Sequence, residues 1–446
     1  MNRSKEKELG IYLLFFLLAL TMMFIVPFGT APDEGMRYQI CSFIYEYGTL
    51  PRGDDPRILN KIWGISYAFT PINSYIISAL FMKIFSWFGM QKGNLIYVAR
   101  AVSLVFSMGT AVFCVKIGKK VFRGVYRWAF VFLVLFLPEF IYISGYVNCD
   151  ACAMFFCAWI IYGMIWGAEQ KWNVKSCIFL GIGMGLCALS YYNAYGIILG
   201  AVIYCVVSVL ADKTIEHKFL FILQRAMIVA FSAILVSGWW FIRNFCLYDG
   251  DWLGLNTSGK CAELNAQWDY KPSNRATPNK LGYSLKYMLF DMEWLKGSKD
   301  SFVAAFGYLQ YFLKEWQYSV YFIFILIGLG GNVFSFKNYL ENRKNNLQLQ
   351  KEKSCSKKTI GGWCMLLMCI VTISISAYYS FYNDFQAQGR YCMPMLIPFS
   401  LLVIKGVESI GEKENKNAGE MIALGVSIYM LYLAFYSVFD ILAVVY

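Results

Sequence analysis

The feature that most constrains this chain is a series of apolar runs, each close to the length of a membrane-spanning helix. Roughly 20 predominantly apolar residues cross the hydrocarbon core of a bilayer as a helix. Of 446 residues, 58% are hydrophobic, and the mean hydropathy is +0.49. These values predict an all-α integral membrane protein with a single polytopic domain, residues 1–446. The eleven runs are 10–28, 95–115, 128–146, 151–166, 177–192, 195–210, 221–242, 320–336, 363–382, 391–407 and 421–446.

The segment 66–89 is also long and apolar, but it contains Pro71, Asn73 and Lys83. If it crossed the bilayer, the basic linker 116–127, which has no acidic residue, would face outward against the positive-inside tendency. We therefore predict an interfacial amphipathic helix there. With eleven crossings, the amino terminus is cytoplasmic and the carboxyl terminus extracytoplasmic. Residues 337–360 then form a basic cytoplasmic loop, and 29–94 and 243–318 form the large outer loops.

Two adjacent acids, Asp33 and Glu34, follow the first apolar run directly after Pro32. Ionised carboxylates near hydrocarbon are costly, so they tend to face a watery cavity and to serve substrate, ion or proton chemistry. The alternative interpretation is a solvated helix cap, with Pro32 ending the helix. The only histidine, His217, lies in a charged linker. A carboxylate is therefore the better candidate for a general base.

The predicted topology gathers further polar residues near the outer membrane face. A single arginine there could simply reach the lipid headgroups and anchor a helix. Several arginines together with acids indicate a site, because a carboxylate can take a proton from a hydroxyl while guanidinium groups stabilise a leaving phosphate. No complete Gly-x-x-x-x-Gly-Lys-Ser/Thr nucleotide loop is present, so we expect a donor carried on a membrane lipid phosphate. These residues are Arg37, Arg100, Asn148, Asp150, Arg243 and Arg390.

The glycine-rich stretch 181–185 contains Gly181, Gly183 and Gly185 within an apolar run. Small residues at such spacing allow the backbones of membrane helices to approach closely. We therefore predict helix packing at this stretch rather than phosphate binding.

Taken in chain order, the polar motifs resemble those of the GT-C superfamily, which are multi-pass glycosyltransferases that use lipid-phosphate sugars. The pattern is most similar to bacterial membrane proteins related to protein O-mannosyltransferases and aminoarabinose transferases. The resemblance implies a GT-C-like fold with extracytoplasmic juxtamembrane helices. It rests on Pro-Asp-Glu at 32–34, Arg100 in the next crossing, Pro138 followed by Asn148-x-Asp150, Trp-Trp-x-x-Arg-Asn at 239–244, and Gln-Gly-Arg-Tyr at 388–391.

Carried over residue by residue, the resemblance implies roles for the candidate residues. Asp33 corresponds to a general base or metal-linked carboxylate, and Glu34 either orients it or shares a divalent cation with it, Mg²⁺ or Mn²⁺. Asp150 corresponds to the second acid. The residues implied to bind the donor phosphate are Arg100, Arg243 and Arg390, and those implied to line the cavity are Arg37, Asn148, Asn193 and Tyr391. Relatives often have a lysine where this chain has Tyr191, which removes one expected phosphate contact.

The resemblance predicts inverting transfer of a hexose or pentose from a polyprenyl-phosphate donor to an acceptor hydroxyl on a glycan, lipid or protein. The active site would lie on the extracytoplasmic face of the plasma membrane. The product would belong to a cell-envelope glycan, and no nucleic-acid partner is expected. The residue types leave two alternatives open. One is a lipid-linked glycan flippase or transporter that binds the same cargo without breaking a bond. The other is a glycan polymerase or ligase, which differs in substrate size.

Overall fold

The computed structural model describes residues 3–345, 357–413 and 416–446, and the chain within them is almost entirely helical. The first half of the chain contains helices α1 (Arg3–Ile25), α2 (Glu34–Tyr47), α3 (Asn73–Trp87), α4 (Leu95–Val121), α5 (Gly124–Leu135), α6 (Pro138–Ser144), α7 (Asp150–Glu169), α8 (Val174–Ala188), α9 (Tyr195–Ala211) and α10 (Lys218–Leu247). The second half contains α11 (Leu255–Asn265), α12 (Leu285–Phe290), α13 (Trp294–Val303), α14 (Glu315–Asn345), α15 (Lys357–Tyr382), α16 (Leu396–Lys413), α17 (Lys416–Phe435) and the short α18 (Ala443–Val445). A π-helical turn, Tyr436–Leu442, joins the last two.

Nine helices among the described residues are long and apolar enough to cross a membrane. A tenth crossing results if α5 and α6, which meet at a bend of 57°, form one broken span. The protein is therefore a multi-pass membrane protein with an all-α fold, as predicted. The predicted count of eleven is not confirmed, because it also requires α8, whose 15 residues extend only about 22 Å.

The segment 66–89 contains a short 3-10 turn, Tyr67–Phe69, followed by α3. Helix α3 packs against α2 and α4. Its 15 residues extend about 22 Å, which is less than the thickness of a bilayer core. One face of its last turns is apolar and exposed, including Trp87 at its end and Phe88 just beyond. These features are those expected of a juxtamembrane helix.

The region between α10 and α14 is shorter than the predicted loop 243–318. Helix α10 continues through Arg243 to Leu247, because no glycine or proline lies between Arg243 and Asp249; Asp249 and Gly250, which follow the helix, both have positive φ. Helix α14 begins already at Glu315. Between them lie α11, α12, α13 and a hairpin in which β1 (Ala305–Phe306) pairs antiparallel with β2 (Tyr311–Phe312).

The predicted basic loop 337–360 is only partly described. Helix α14 extends to Asn345 and α15 begins at Lys357, so both ends of this segment are helical. Residues 346–356 lie outside the described residues.

The glycines of α8 bring it into close contact with α10, as their spacing predicts. A Cβ at Gly181 would lie 2.5 Å from the carbonyl oxygen of Val229, and one at Gly185 would lie 2.7 Å from that of Ala233. No side chain fits at either position without moving the two backbones apart. The stretch therefore serves helix packing.

We predict that Gly181→Ala lowers stability by about 1–3 kcal/mol, because its Cβ overlaps the backbone of α10. Gly330→Ala is the matched control, since a Cβ at this helical glycine meets no atom within 4 Å. Alanine there should be neutral or slightly stabilising. Thermal unfolding of the detergent-purified variants compares the two, and equal melting temperatures would contradict the close packing.

Candidate active site

Asp33 occupies an unusual backbone position between the first membrane helix and α2. It is the residue that precedes α2, and its φ of 63° and ψ of 3° place it in the left-handed region. Aspartate tolerates this region better than most residues, yet such conformations still cost energy and cluster at functional sites. In this conformation the Asp33 carboxylate contacts an arginine from a distant part of the chain.

Two arginines hold the Asp33 carboxylate. Its Oδ2 accepts a hydrogen bond of 2.8 Å from Nη2 of Arg390 and lies 3.6 Å from Nη2 of Arg37. The side chain of Asp33 is 27% exposed, whereas those of both arginines are almost completely buried. Burial acts to raise the pKa of Asp33, but the charges of Arg390 and Arg37 outweigh it and hold that pKa below the usual 3.8. Asp33 is therefore ionised at neutral pH.

Arg37 also pairs with Asp150, so that Asp33, Arg37, Asp150 and Arg390 form one connected group of charges, the Asp33 cluster. Its Nη1 lies 3.4 Å from Oδ2 of Asp150 and 3.1 Å from Sγ of Cys149, and its guanidinium stacks over the ring of Tyr67. Asp150 is 1% exposed, and its Oδ1 has no hydrogen-bond partner among the described residues. An unpaired buried carboxylate oxygen is costly, so this atom is available to a further hydrogen-bond donor.

Arg390 is positioned by the short helix in which it lies and by that helix's contacts with α13. It lies in the 3-10 helix Gly389–Met395, and its Nη1 donates to the hydroxyl of Tyr146 and the carbonyl of Pro32. The preceding residue must be glycine, because a Cβ at Gly389 would lie 2.1 Å from the backbone nitrogen of Phe302 in α13. The backbone N–H of Gly389 donates to Ser301 in the same helix. Helix α13 thus fixes the backbone next to the arginine.

Glu34 and Arg100 form a separate, closed pair. The two glutamate oxygens accept bonds of 2.7 Å from Nε and Nη2 of Arg100. Nη1 of Arg100 donates to the carbonyls of Met23 and Val26 at the end of α1. Glu34 also accepts from the backbone N–H groups of Gly29 and Val147. This geometry assigns the pair to holding four chain segments together and gives Arg100 few donors for a phosphate.

The remaining candidate residues stabilise loops near this cluster. The amide of Asn148 donates to the carbonyls of Ile143 and Tyr146, and its oxygen accepts from the N–H of Ala151 in the first turn of α7. Asn193 donates to the carbonyl of Tyr391 and the hydroxyl of Tyr191. The hydroxyl of Tyr391 donates to Gln386.

Arg243 contacts a different part of the protein. It donates 2.7 Å to the carbonyl of Pro51 and 3.4 Å to the side chain of Asn244, and it lies over the ring of Trp240. These contacts bind the end of α10 to the loop after α2. The structure therefore does not bring Arg243 into contact with the Asp33 cluster.

The residues do not fit a divalent cation shared by Asp33 and Glu34. The two carboxylates face different arginines, and both oxygens of Glu34 already accept from Arg100. No group of three His, Cys, Asp or Glu side chains with the spacing of a metal site exists among the described residues. Glu34 therefore has no carboxylate oxygen left for a cation that Asp33 would share.

Several residues of the site were missed from the sequence. Tyr146 has no sequence signal of its own but accepts a hydrogen bond from Arg390, and Tyr67 lies under Arg37. Both tyrosines belong to apolar segments, where nothing in the sequence distinguishes them. Glu139, buried in α6, accepts from the N–H of Ala305 and ties the β-hairpin to the helix bundle. An acid inside an apolar run was the signal that could have identified Glu139.

Comparisons with known proteins agree with this architecture. Residues 70–240 match the family profile described as dolichyl-phosphate-mannose-protein mannosyltransferase. No curated protein matches the chain. The Archaeoglobus fulgidus oligosaccharyltransferase complexed with Zn and sulfate superposes with a TM-score of 0.58 at 14% identity, covering 96% of this chain and 53% of its own. ArnT from Cupriavidus metallidurans bound to undecaprenyl phosphate gives 0.53 at 10% identity, covering 98% and 78%.

The chain has a GT-C fold. A further structure with this GT-C fold, the archaeal oligosaccharyltransferase AglB from Archaeoglobus fulgidus, was solved with an inhibitory peptide and a dolichol-phosphate. It superposes with a TM-score of 0.55 at 13% identity, covering 98% of this chain and 56% of its own. This chain thus spans about half the length of the archaeal enzyme. The resemblance to the GT-C superfamily found in the sequence is confirmed at the level of the fold.

Removing one partner of the Glu34–Arg100 pair should destabilise the protein strongly. Arg100→Met leaves a buried, unpaired carboxylate, and we expect a loss of about 3–5 kcal/mol. The double variant Glu34→Gln/Arg100→Met should recover much of it. Arg52→Met is the control, because the Arg52–Asp54 pair is exposed and contributes about 0–1 kcal/mol. Chemical unfolding gives the free energy of unfolding of the wild type and the three variants. A loss below about 1 kcal/mol in Arg100→Met would contradict the closed pair.

The lowered pKa of Asp33 has a defined sign. The stability that its ionised form contributes is fully present above 3.8, the ordinary value, and is lost as pH falls through the lower folded-state pKa. The infrared band of protonated Asp33, identified by its loss in Asp33→Asn, should therefore titrate with a midpoint below pH 3.8. Arg390→Gln should shift the midpoint to higher pH, whereas Arg52→Gln should not. A wild-type midpoint above pH 3.8 would contradict the assignment.

Proposed function

We propose that the protein is a glycosyltransferase that moves a sugar from a polyprenyl-phosphate donor to an acceptor hydroxyl on the extracytoplasmic membrane face. The observation that carries the proposal is Asp33, a partly exposed, ionised carboxylate that two buried arginines hold in a strained backbone position. Support comes from the GT-C fold and from neighbours solved with dolichol-phosphate and undecaprenyl phosphate.

In the proposed reaction, Asp33 acts as the general base. Its carboxylate takes the proton of the acceptor hydroxyl while the acceptor oxygen forms a bond to the anomeric carbon. The bond from that carbon to the phosphate oxygen breaks, and its electron pair leaves with the polyprenyl phosphate. A single displacement by one base inverts the anomeric configuration. Donor sugars of the hexose or pentose type fit this scheme.

Arg390 is the best placed residue to contact the leaving phosphate. It already borders Asp33 at 2.8 Å, and its Nε has no hydrogen-bond partner among the described residues. Two carboxylates, Asp33 and Asp150, and two guanidinium groups, Arg37 and Arg390, balance one another before reaction. Protonation of Asp33 leaves one positive charge in excess as the phosphate gains a negative one. Proton transfer and phosphate departure therefore favour each other.

The other predicted site residues take supporting roles in this proposal. Asp150 orients Arg37, and the Glu34–Arg100 pair holds the segment that presents Asp33. Asn148, Asn193 and Tyr391 shape the cavity wall through their loop contacts. Arg243 stabilises the outer loops at a distance from the reacting atoms. No step is assigned to a metal ion, because Asp33 and Glu34 do not share a site for one.

The basic charge of the chain supports the proposed orientation. Lys119 and Lys120 end α4, which begins near Arg100, so they lie at the membrane face opposite the Asp33 cluster. Lysine and arginine concentrate in cytoplasmic loops. We infer a cytoplasmic amino terminus and an extracytoplasmic site in the plasma membrane.

The proposal predicts that Asp33→Asn lowers transfer by about 10²–10⁴-fold, the usual contribution of a general base. Asp55→Asn is the matched control, because Asp55 lies in the same outer region but pairs with its neighbour Arg57. Purified protein is incubated with defined polyprenyl-phosphate sugars and cell-envelope acceptor fractions. Release of polyprenyl phosphate and formation of a new glycosidic bond are measured together.

The outcomes separate the candidate functions. Retained turnover in folded Asp33→Asn would remove Asp33 from the role of base. Movement of a lipid-linked glycan across the vesicle without any new glycosidic bond would favour a flippase. A ladder of extended products rather than a single addition would favour a polymerase.

A further inference from the structure

A large groove lies between α8 and α10, with a volume of about 770 Å³. Three residues of α8, spaced four apart, form one wall: Val174, Ile178 and Ile182. The facing wall belongs to α10 and is mainly apolar, with Phe231 and Leu235 exposed along it. Helix α10 is one of the candidate membrane spans, and α8 is an apolar helix packed against it, so a groove between them is suited to lipid.

The groove begins at the membrane face opposite the Asp33 cluster. Asp150 of that cluster is the first residue of α7, whose 20 residues extend about 30 Å before α8 begins. The groove starts at Val174, the first residue of α8. On α10 it starts at Gln224 and Arg225, near the opposite end of the helix from Arg243. From Arg225 to Val236 it extends about 17 Å toward the membrane centre.

The polar end of the groove carries a charge without a counter-charge among its lining residues. Arg225 is the only charged residue among the lining side chains, and its buried Nε has no hydrogen-bond partner among the described residues. Its guanidinium lies 4.7 Å from the ring centre of Phe221. A cation on the lipid-facing side of a membrane helix is costly unless an anion or the interface satisfies it. Gln224 beside it supplies further hydrogen-bonding groups.

We propose that this groove binds one anionic phospholipid from the leaflet opposite the Asp33 site. Its phosphate is held by Arg225 and Gln224, and one acyl chain lies along Ile178, Ile182 and Phe231. The charge complementarity selects an anionic lipid over a zwitterionic one, since basic pockets between membrane helices bind acidic headgroups. The site is distinct from the proposed donor site, whose phosphate lies at the other membrane face beside Arg390.

The lipid also explains the sparse packing of α10. Of its most apolar stretch only 11% is buried within the protein, and its main contacts are with α8. An acyl chain in the groove covers the side chains that flank the tight glycine contact at Gly181. Bound lipid should therefore stabilise the folded protein in proportion to its occupancy.

The test uses full-length protein in detergent, titrated with phosphatidylglycerol or phosphatidylcholine and followed by thermal shift and native mass spectrometry. Wild type should retain phosphatidylglycerol preferentially. Arg225→Gln should weaken its binding about fivefold, which corresponds to about 1 kcal/mol for one basic residue at a lipid headgroup. Arg225→Lys should restore most of the affinity.

Two further variants address the walls of the groove and the surface charge. Ile178→Trp fills the apolar wall and should reduce lipid retention while Arg225 is intact. Arg123→Gln removes an exposed arginine between α4 and α5 at the same membrane face and should leave lipid binding unchanged. The melting temperature without added lipid reports whether each variant is folded.

Equal retention of both phospholipids by wild type, or unchanged affinity in Arg225→Gln, would overturn the proposal. A competition arm adds undecaprenyl phosphate. If it displaces phosphatidylglycerol stoichiometrically and loses affinity in Arg225→Gln, the groove belongs to a polyprenyl lipid and the phospholipid assignment is wrong. Glycosyl transfer need not be active for any of these measurements, so the result is independent of the proposed function.

Discussion

The buried ion pair between Glu34 and Arg100 is the interaction on which the rest of the site depends. It joins the end of α1, the start of α2, the first third of α4 and the turn before α7 through six hydrogen bonds. Such a pair contributes little net stability relative to apolar residues, but it is costly to break and fixes one arrangement of its neighbours. Asp33, adjacent to Glu34, is thereby held in one position.

Around that fixed point, the buried charges form two groups with different contacts. The hydrogen-bonding groups of Glu34 and Arg100 are almost all used by each other and by nearby backbone. Asp33, Arg37, Asp150 and Arg390 instead form a chain of ion pairs. The cluster retains unpaired polar atoms on Arg37, Arg390 and Asp150 among the described residues. In a low-dielectric environment such atoms interact strongly with any substrate charge. The two neighbouring acids of one Pro-Asp-Glu motif thus have different physical roles.

Much of the fold followed from local pattern. The apolar runs identified the membrane helices, and charge placement identified 66–89 as the exceptional segment. The glycines at 181 and 185 indicated close helix packing, and the structure shows that the partner is α10. Other features could not be read locally. The bend between α5 and α6 splits a run that looked continuous, and α10 carries Arg243 inside the helix instead of at the start of a loop.

The sequence by itself determined that this chain lies in a membrane as helices and that Asp33 and Glu34 follow the first apolar run, because a bilayer leaves backbone and charge few other solutions. Only the tertiary structure decided which charges meet. Asp33 and Arg390 are separated by more than 350 positions, and no local periodicity encodes their 2.8 Å contact. Pairing depends on helix packing, which left Arg243 with Pro51 and gave Arg100 to Glu34.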